Sequence, residues 1–480
     1  MNTSKADSYQ LSSSSSENSV TSNRYKPAYL RRRLKMLCSS PSILSEGLSK
    51  RIAIHCWHNL QDEEAVLLLV SLLVGWSVPQ LLLLRNEDIQ RDKNYYYLRS
   101  SWKFNDLKLP QMWKSFHIKS SEYGVIPLPS VLAQRLIEVI NSPSINDNRK
   151  ALVETYLGNK FDVLTRRPTL TGIRRNIECC AKAVGLSRAE LDFISGIDQH
   201  NSMQSFYVCF NQADMHVKLI KYQSQLLGVD PDVLEVKPFN ENFGSKRALT
   251  SAGVKAVFES HLQCLRDYSQ LTQQEFHNRY TSYLLELFHL VTLMRPVSKD
   301  VVKRNSFAND FSSLLIVDKG ESSLRRIPVP FSVRKIFHDY IGYLMALDKR
   351  QRFVYPMVAN EITRMVDGDA PFFQYWDLHN DKMVKADTAA FNSSLIDQYP
   401  LHRNWHRHTI ATHLVMRGQC RDSLKAFMGH NPPLDHTFSG LSSLSFGALR
   451  GVSENIELLL KHWDIPLLSP LSKMVGGPHV

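Results

Sequence analysis

Between residues 62 and 84 apolar side chains crowd together with only short interruptions, and Gly75 and Pro79 punctuate the run. Apolar residues on every side of a helix mean burial, so a helix inside a core is predicted here. The longest apolar stretch, 65–78, holds Ser71, Gly75 and Trp76 and is too short to span a bilayer comfortably. Residues 95–98 and 124–128 read as strands, with Pro127 and Pro129 suiting an edge or a strand end. Helical spacing returns at 130–140, 151–157, 172–184 and 189–194. Residues 237–244 are turn-rich, and a long helical stretch follows over 251–293. A hairpin is predicted from strands at 311–317 and 324–329 around a Gly-containing turn. Helices are expected at 333–347, 386–398, 408–417, 423–428 and 454–462.

These elements predict a mainly α fold with small β-hairpins and sheets. The expected organisation is a leader and basic arm over 1–49, a helical domain with a small sheet over 50–215, a connector over 216–245, a second domain over 246–455 and a tail over 456–480. Residues 1–23 are rich in Ser, Asn and Thr, and disorder is expected there. The start lacks the apolar run of a secretion signal.

Charge narrows the function classes. The 58 Lys and Arg against 46 Asp and Glu give a formal net charge of +12. Backbone phosphates attract such an excess, so nucleic acid is the partner best matched, although a merely soluble basic protein shows the same balance. Arg24, Lys26, Arg31, Arg32 and Arg33, with two tyrosines among them, form a basic arm. It suits a DNA backbone or minor groove, and equally a solvated leader. The seven cysteines include no Cys-x-x-Cys pair, which predicts a reducing, intracellular setting. Cytoplasmic, DNA-associated residence without a membrane partner is the expectation. No metal-ligand, phosphate-loop or dinucleotide motif is visible, so no metal and no cofactor are expected.

Three basic elements of the second half have the chemistry of a phosphate clamp. Arg295 follows an apolar helix, Lys319 sits in the hairpin turn, and Arg407 opens the run Trp405-His406-Arg407-His408-Thr409-Ile410-Ala411-Thr412-His413-Leu414. Guanidinium forks hold nonbridging oxygens, and a lysine protonates a leaving oxygen. Residues 407–414, followed by Met428-Gly429-His430, resemble the signature helix and later Gly-His pair of the tyrosine recombinases and phage integrases. Thr292-Leu293-Met294-Arg295 resembles the family's first-arginine element, and Asp318-Lys319-Gly320 its lysine hairpin. The resemblance covers roughly residues 245–450. It implies a recombinase-type catalytic fold in which Arg295 and Arg407 grip a phosphate, Lys319 acts as general acid and His430 assists.

Two departures qualify it. Asn404 occupies the place of a family histidine; it donates hydrogen bonds but is no base near neutral pH. The segment after Gly-His contains no tyrosine, and Leu441 falls at the nucleophile's position. Leucine has no atom that attacks phosphorus. The expected function is therefore duplex-DNA binding by a catalytically impaired, tyrosine-recombinase-like protein. Its expected role is accessory or regulatory in DNA recombination or a mobile element, as a homo-oligomer or with other recombination proteins. The alternatives are an active strand-cleaving enzyme, using Tyr207, a serine among Ser439, Ser442 and Ser443 or a partner's tyrosine, and an oligomeric protein scaffold.

The first half echoes the same layout. Val74-Gly75-Trp76-Ser77 resembles the first-arginine element with Ser77 in place of arginine, and residues 124–129 resemble the hairpin's end. Arg174 precedes Gly196 by 22 residues, as Arg407 precedes Gly429. A degenerate second copy is expected on this ground, with Arg174 and Tyr207 as its candidate residues, against the alternative of chance likeness between helix-plus-hairpin domains.

Overall fold

The computed structural model describes residues 43–104, 111–142, 148–161, 168–196, 207–266, 271–296, 302–317, 324–377, 379–386, 401–429 and 445–471. Its order is α1 (Glu46–His58), α2 (Glu63–Val74), α3 (Val78–Leu82), β1 (Ile89–Asp92), β2 (Tyr95–Lys103), α4 (Gln111–Lys114), β3 (Tyr123–Leu128), α5 (Ser130–Asn141), α6 (Arg149–Phe161), α7 (Leu170–Cys180) and α8 (Arg188–Ile194). Then come β4 (Cys209–Asn211), α9 (Gln212–Leu227), β5 (Asn242–Gly244), α10 (Ser251–Arg266), α11 (Gln273–Thr292), β6 (Ser313–Ile316), β7 (Arg325–Pro328), α12 (Phe331–Gln351) and α13 (Pro356–Asp367). A hairpin of β8 (Gln374–Asp377) and β9 (Lys382–Lys385) precedes α14 (Trp405–Met416), α15 (Arg421–Met428) and α16 (Phe446–His462). The fold is mainly helical, with small antiparallel sheets.

Two compact units emerge. The first takes residues 1–86, 130–185 and 221–234, and the second takes 87–129, 186–220 and 235–480. The first is organised by α2, whose ten residues from Ala65 to Val74 are all buried. Such a helix must be surrounded, and α1, α5, α6 and α7 pack against it. Each fully buried Leu or Val there contributes about 1.5–3 kcal/mol. The helix stops where Gly75 takes a φ of 75°, a left-handed cap that glycine adopts without a Cβ clash.

In the second unit α11 takes the central place, buried almost continuously from Tyr280 to Thr292. It packs against α10, β8 and α14. Aromatic rings fill the space beside it: Phe288 meets Phe373 at a tilt with centroids 5.1 Å apart, and Phe307 meets Phe372 at 5.2 Å. The three-stranded sheet β1-β2-β3 also belongs to this unit. Gln212 Oε1 accepts from Val125 N at 2.8 Å, and His216 Nε2 meets Val125 O at 2.8 Å, tying β3 to the start of α9.

The expected helices at 62–84, 130–140, 151–157 and 408–417 appear with shifted ends, and 251–293 is two helices, α10 and α11. The stretch 216–245, expected as a connector, carries most of α9 and the strand β5. Gln212, His216 and Gln223 are buried polar residues of α9, and they dilute the apolar spacing that would mark it as a core helix. The expected helix at 386–398 lies almost wholly outside the described residues, as does the arm with Arg24, Lys26, Arg31, Arg32 and Arg33. Among the described residues no helix is long and apolar enough to cross a membrane.

Gly124 in β3 shows how tightly the second unit is packed. A Cβ there would lie 2.4 Å from Phe193 Cζ and 2.9 Å from Phe243 Cδ1. Gly124→Ala is expected to cost about 1–3 kcal/mol, the range for overpacking a filled core, seen as a lower urea midpoint; an unchanged midpoint would refute this packing.

Candidate anion-binding site around Arg407

Helix α14 is unusual in carrying its polar residues inward: Trp405 through Thr412 are all buried. Buried polar groups require partners, and the surroundings supply them. Thr409 Oγ1 accepts from Leu249 N at 3.0 Å, and Thr412 Oγ1 accepts from Cys209 N at 3.0 Å. His413 Nε2 meets Leu249 O at 3.0 Å. Glu286 Oε1, from α11, accepts from Trp405 Nε1 at 2.9 Å and pairs with His406 Nε2 at 3.1 Å. Burial works to raise the Glu286 pKa, but His406, His261 and His289 together bring it below the ordinary value. These contacts fix the helix's position and rotation.

Arg407 is 0% exposed. Its Nη1 donates to Leu293 O, and its Nη2 donates to Met428 O at 2.9 Å. Leu293 caps α11 in the left-handed region with a φ of 53°, where a residue bearing a Cβ is strained by about 1–2 kcal/mol. Met428 ends α15, and Gly429 follows with a φ of 67°. Arg407 therefore joins the carboxyl ends of two helices, where unsatisfied carbonyls favour a cation. Arg325 of β7 reaches the same corner, its Nε donating to Phe427 O at 2.9 Å. A Cβ on Gly429 would fall 2.4 Å from Arg325 Nη1, so only glycine fits there without displacing that arginine.

Further cations and an aromatic ring adjoin Arg407. The Tyr207 ring centroid lies 5.2 Å from Arg407 Cζ and 4.7 Å from the His408 ring. His408 Nδ1 meets Ser245 Oγ at 2.6 Å, and the same oxygen accepts from Arg247 N at 3.2 Å. Burial, and then the charges of Arg247, His402 and Arg407, push His408 well below its ordinary pKa. His402 is lowered to about 4 by burial and by Arg247 and Arg403. Both imidazoles are thus neutral at pH 7, and after burial Arg247 is the guanidinium that lowers both.

The sequence candidates divide accordingly. Arg407, Asn404 and the half-buried Arg295 occupy this corner: Asn404 caps α14, and Arg295 stands two residues beyond the carbonyl that Arg407 holds. Asn404 Oδ1 is buried with no hydrogen-bond partner among the described residues. Lys319, His430 and Leu441 lie outside the described residues, as do Ser439, Ser442 and Ser443. Tyr207 belongs to the Arg407 unit, whereas Arg174 lies on α7 of the other, half-buried, its Nε donating to Gly75 O at 3.2 Å. Arg247, Ser245, His402, Arg403 and Arg325 were not singled out by sequence as site residues. Their one signal was the adjacent pair Lys246-Arg247 after a turn-rich stretch. Among the described residues no group of His, Cys, Asp and Glu is arranged to hold a metal ion.

Compared with protein-family models, with curated proteins and with solved structures, the chain matches none.

The depressed histidines fix a pH dependence. An unfolded histidine titrates near 6.5, while folded His402, His216 and His277 remain neutral down to about 4. Between those values the unfolded chain binds protons that the folded chain refuses, so stability is intact above about 6.5 and falls as pH drops towards 4. Urea midpoints measured from pH 7 to 4 are expected to fall, and to fall less steeply in His402→Gln; a variant slope equal to wild type would remove His402 from the effect.

Proposed function

We propose that this chain binds duplex DNA through its phosphate backbone, as a tyrosine-recombinase-like protein whose signature segment lacks the nucleophile. The observation that carries this reading is the gathering of Arg407 and Arg247 beside His408 and Ser245, where after burial the guanidinium charges of Arg247, Arg403 and Arg407 lower one or both of His402 and His408. Such a corner gains most from an anion, and a phosphodiester with two nonbridging oxygens fits a pocket of guanidinium groups. The net charge of +12 supplies the long-range attraction that brings a polyanion to it. The fold order of α11, the β6–β7 hairpin, α14 and α15 supports a recombinase-type catalytic fold for this unit. By the same likeness, the role is accessory or regulatory in DNA recombination or a mobile element, alongside further copies or other recombination proteins.

Replacing Arg247 and Arg403 together by Gln is expected to weaken duplex binding about tenfold or more. The slope of log affinity against log salt should become shallower by nearly two, one phosphate contact for each charge removed. Anisotropy titrations between 50 and 200 mM salt, ranges in which about 10³-fold changes are usual for several contacts, check this. Wild-type affinity and slope in the double variant would sink the reading.

One observation favours a second reading, an active strand-cleaving enzyme. Tyr207 brings an aromatic hydroxyl-bearing ring against Arg407 although it lies far outside the signature segment. In such a step Tyr207 Oη attacks phosphorus, forming a tyrosyl ester and breaking the bond to the 5′ oxygen. The phenol proton passes to water, and the leaving 5′ oxygen takes a proton from water. Incubation with a nicked suicide duplex separates the two: a covalent adduct lost in Tyr207→Phe selects cleavage, and no adduct in wild type selects binding alone.

A further inference from the structure

Two places in the chain repeat one local construction. Helix α2 ends at Gly75 and α11 ends at Leu293, both in the left-handed region with φ of 75° and 53°. Each cap nitrogen donates four residues back, Gly75 N to Ser71 O and Leu293 N to His289 O. In each case the carbonyl of the cap residue accepts from an arginine of a later helix: Arg174 Nε on α7, and Arg407 Nη1 on α14.

The order of elements agrees in part between these fixed points; α3, β1 and α4 of the first stretch and the β8–β9 hairpin of the second have no counterpart. Pro127-Leu128-Pro129, in which β3 ends at Leu128, leads directly into α5, and Pro328-Val329-Pro330, in which β7 ends at Pro328, leads directly into α12. A further helix follows each, α6 and α13, ahead of the arginine helix. A left-handed glycine lies 22 residues after each arginine, Gly196 with a φ of 60° just beyond the Ser195 cap of α8 and Gly429 with a φ of 67° as the cap of α15. Each of these glycines donates three residues back, Gly196 N to Phe193 O and Gly429 N to Ala426 O. Chance likeness between helical domains accounts for the helix order, but not for an arginine bonded to the same left-handed cap in both places.

We infer that the chain carries two copies of one construction, and that Arg174 is a second contact for a DNA backbone phosphate. The inference rests on the DNA-binding reading above. The two arginines differ in a way that matters for binding. Arg407 is wholly buried and spends both terminal nitrogens on helix-end carbonyls. Arg174 is half-buried and is anchored through Nε alone, so among the described residues its two terminal amino groups engage nothing else. Anchoring by Nε orients the guanidinium plane and leaves the fork that matches two phosphate oxygens. Neighbouring Arg175 adds positive charge on the same helix.

The test uses the full chain and a 40-base-pair duplex. Arg174→Gln keeps a side-chain amide able to donate to Gly75 O but removes the charge; affinity is expected to fall about fivefold and the salt slope to become shallower by about one. Arg174→Lys, which restores a cation, is expected to recover most of the affinity. In wild type, a duplex bearing azidophenacyl groups on backbone phosphorothioates is expected to crosslink to the peptide containing residues 170–180. Wild-type binding by Arg174→Gln, or no crosslink to that peptide, overturns the inference. If the Arg247 and Arg403 double variant is impaired at the same time, the DNA-binding reading stands and only the second contact fails. If neither set of variants changes binding, the reading itself fails.

Discussion

The second unit depends on one interaction, the attachment of a fully buried guanidinium to the carbonyl ends of two helices. Taking a cation out of water costs several kcal/mol unless its donors are met. Leu293 O and Met428 O meet them, and in return the arginine satisfies carbonyls that no helical turn can reach. The arrangement also explains why Leu293 tolerates a left-handed conformation: its side chain is wholly buried, and its carbonyl is held by charge. Because one side chain serves α11, α14 and α15 together, none of the three can shift without breaking a charge-assisted bond.

The same corner that secures the fold concentrates positive charge. Glu286 compensates on one side of α14, where Trp405 and His406 share its carboxylate. Apart from it lie Arg247, Arg403 and two imidazoles lowered first by burial and then by neighbouring guanidinium charge. Glu286 and the guanidinium groups therefore meet different residues of the same segment, Trp405 and His406 on one hand and His408 on the other. The Tyr207 ring beside Arg407 and His408 adds an apolar wall with a π-face, which suits a guanidinium as well as a solvated ion does.

How much of this was legible beforehand depended on distance along the chain. Helices whose burial is apolar on all sides, such as α2, announced themselves, and so did the β6–β7 hairpin with its turn. Arg407 stood out because its neighbours form a contiguous pattern. By contrast Ser245 and Arg247 reach the site through tertiary packing between segments about 160 residues apart, and no local spacing encodes that. Glu286 sits within an otherwise buried helix, where a carboxylate reads as an interruption until Trp405 and His406 are seen beside it. Helix α9 was obscured by the very residues that tie it to β3, Gln212 and His216.

The reach of Arg407 sets a condition on synthesis. Its two acceptors lie 114 residues before it and 21 after it. A nascent chain that has emerged only as far as α13 holds α11 with its last carbonyl unclaimed and its strained cap unsupported. Closure of that unit waits for α15. The corner around Arg407 thus forms only once α15 has emerged, and a product terminated before α15 leaves Arg407 with one of its two helix-end acceptors missing.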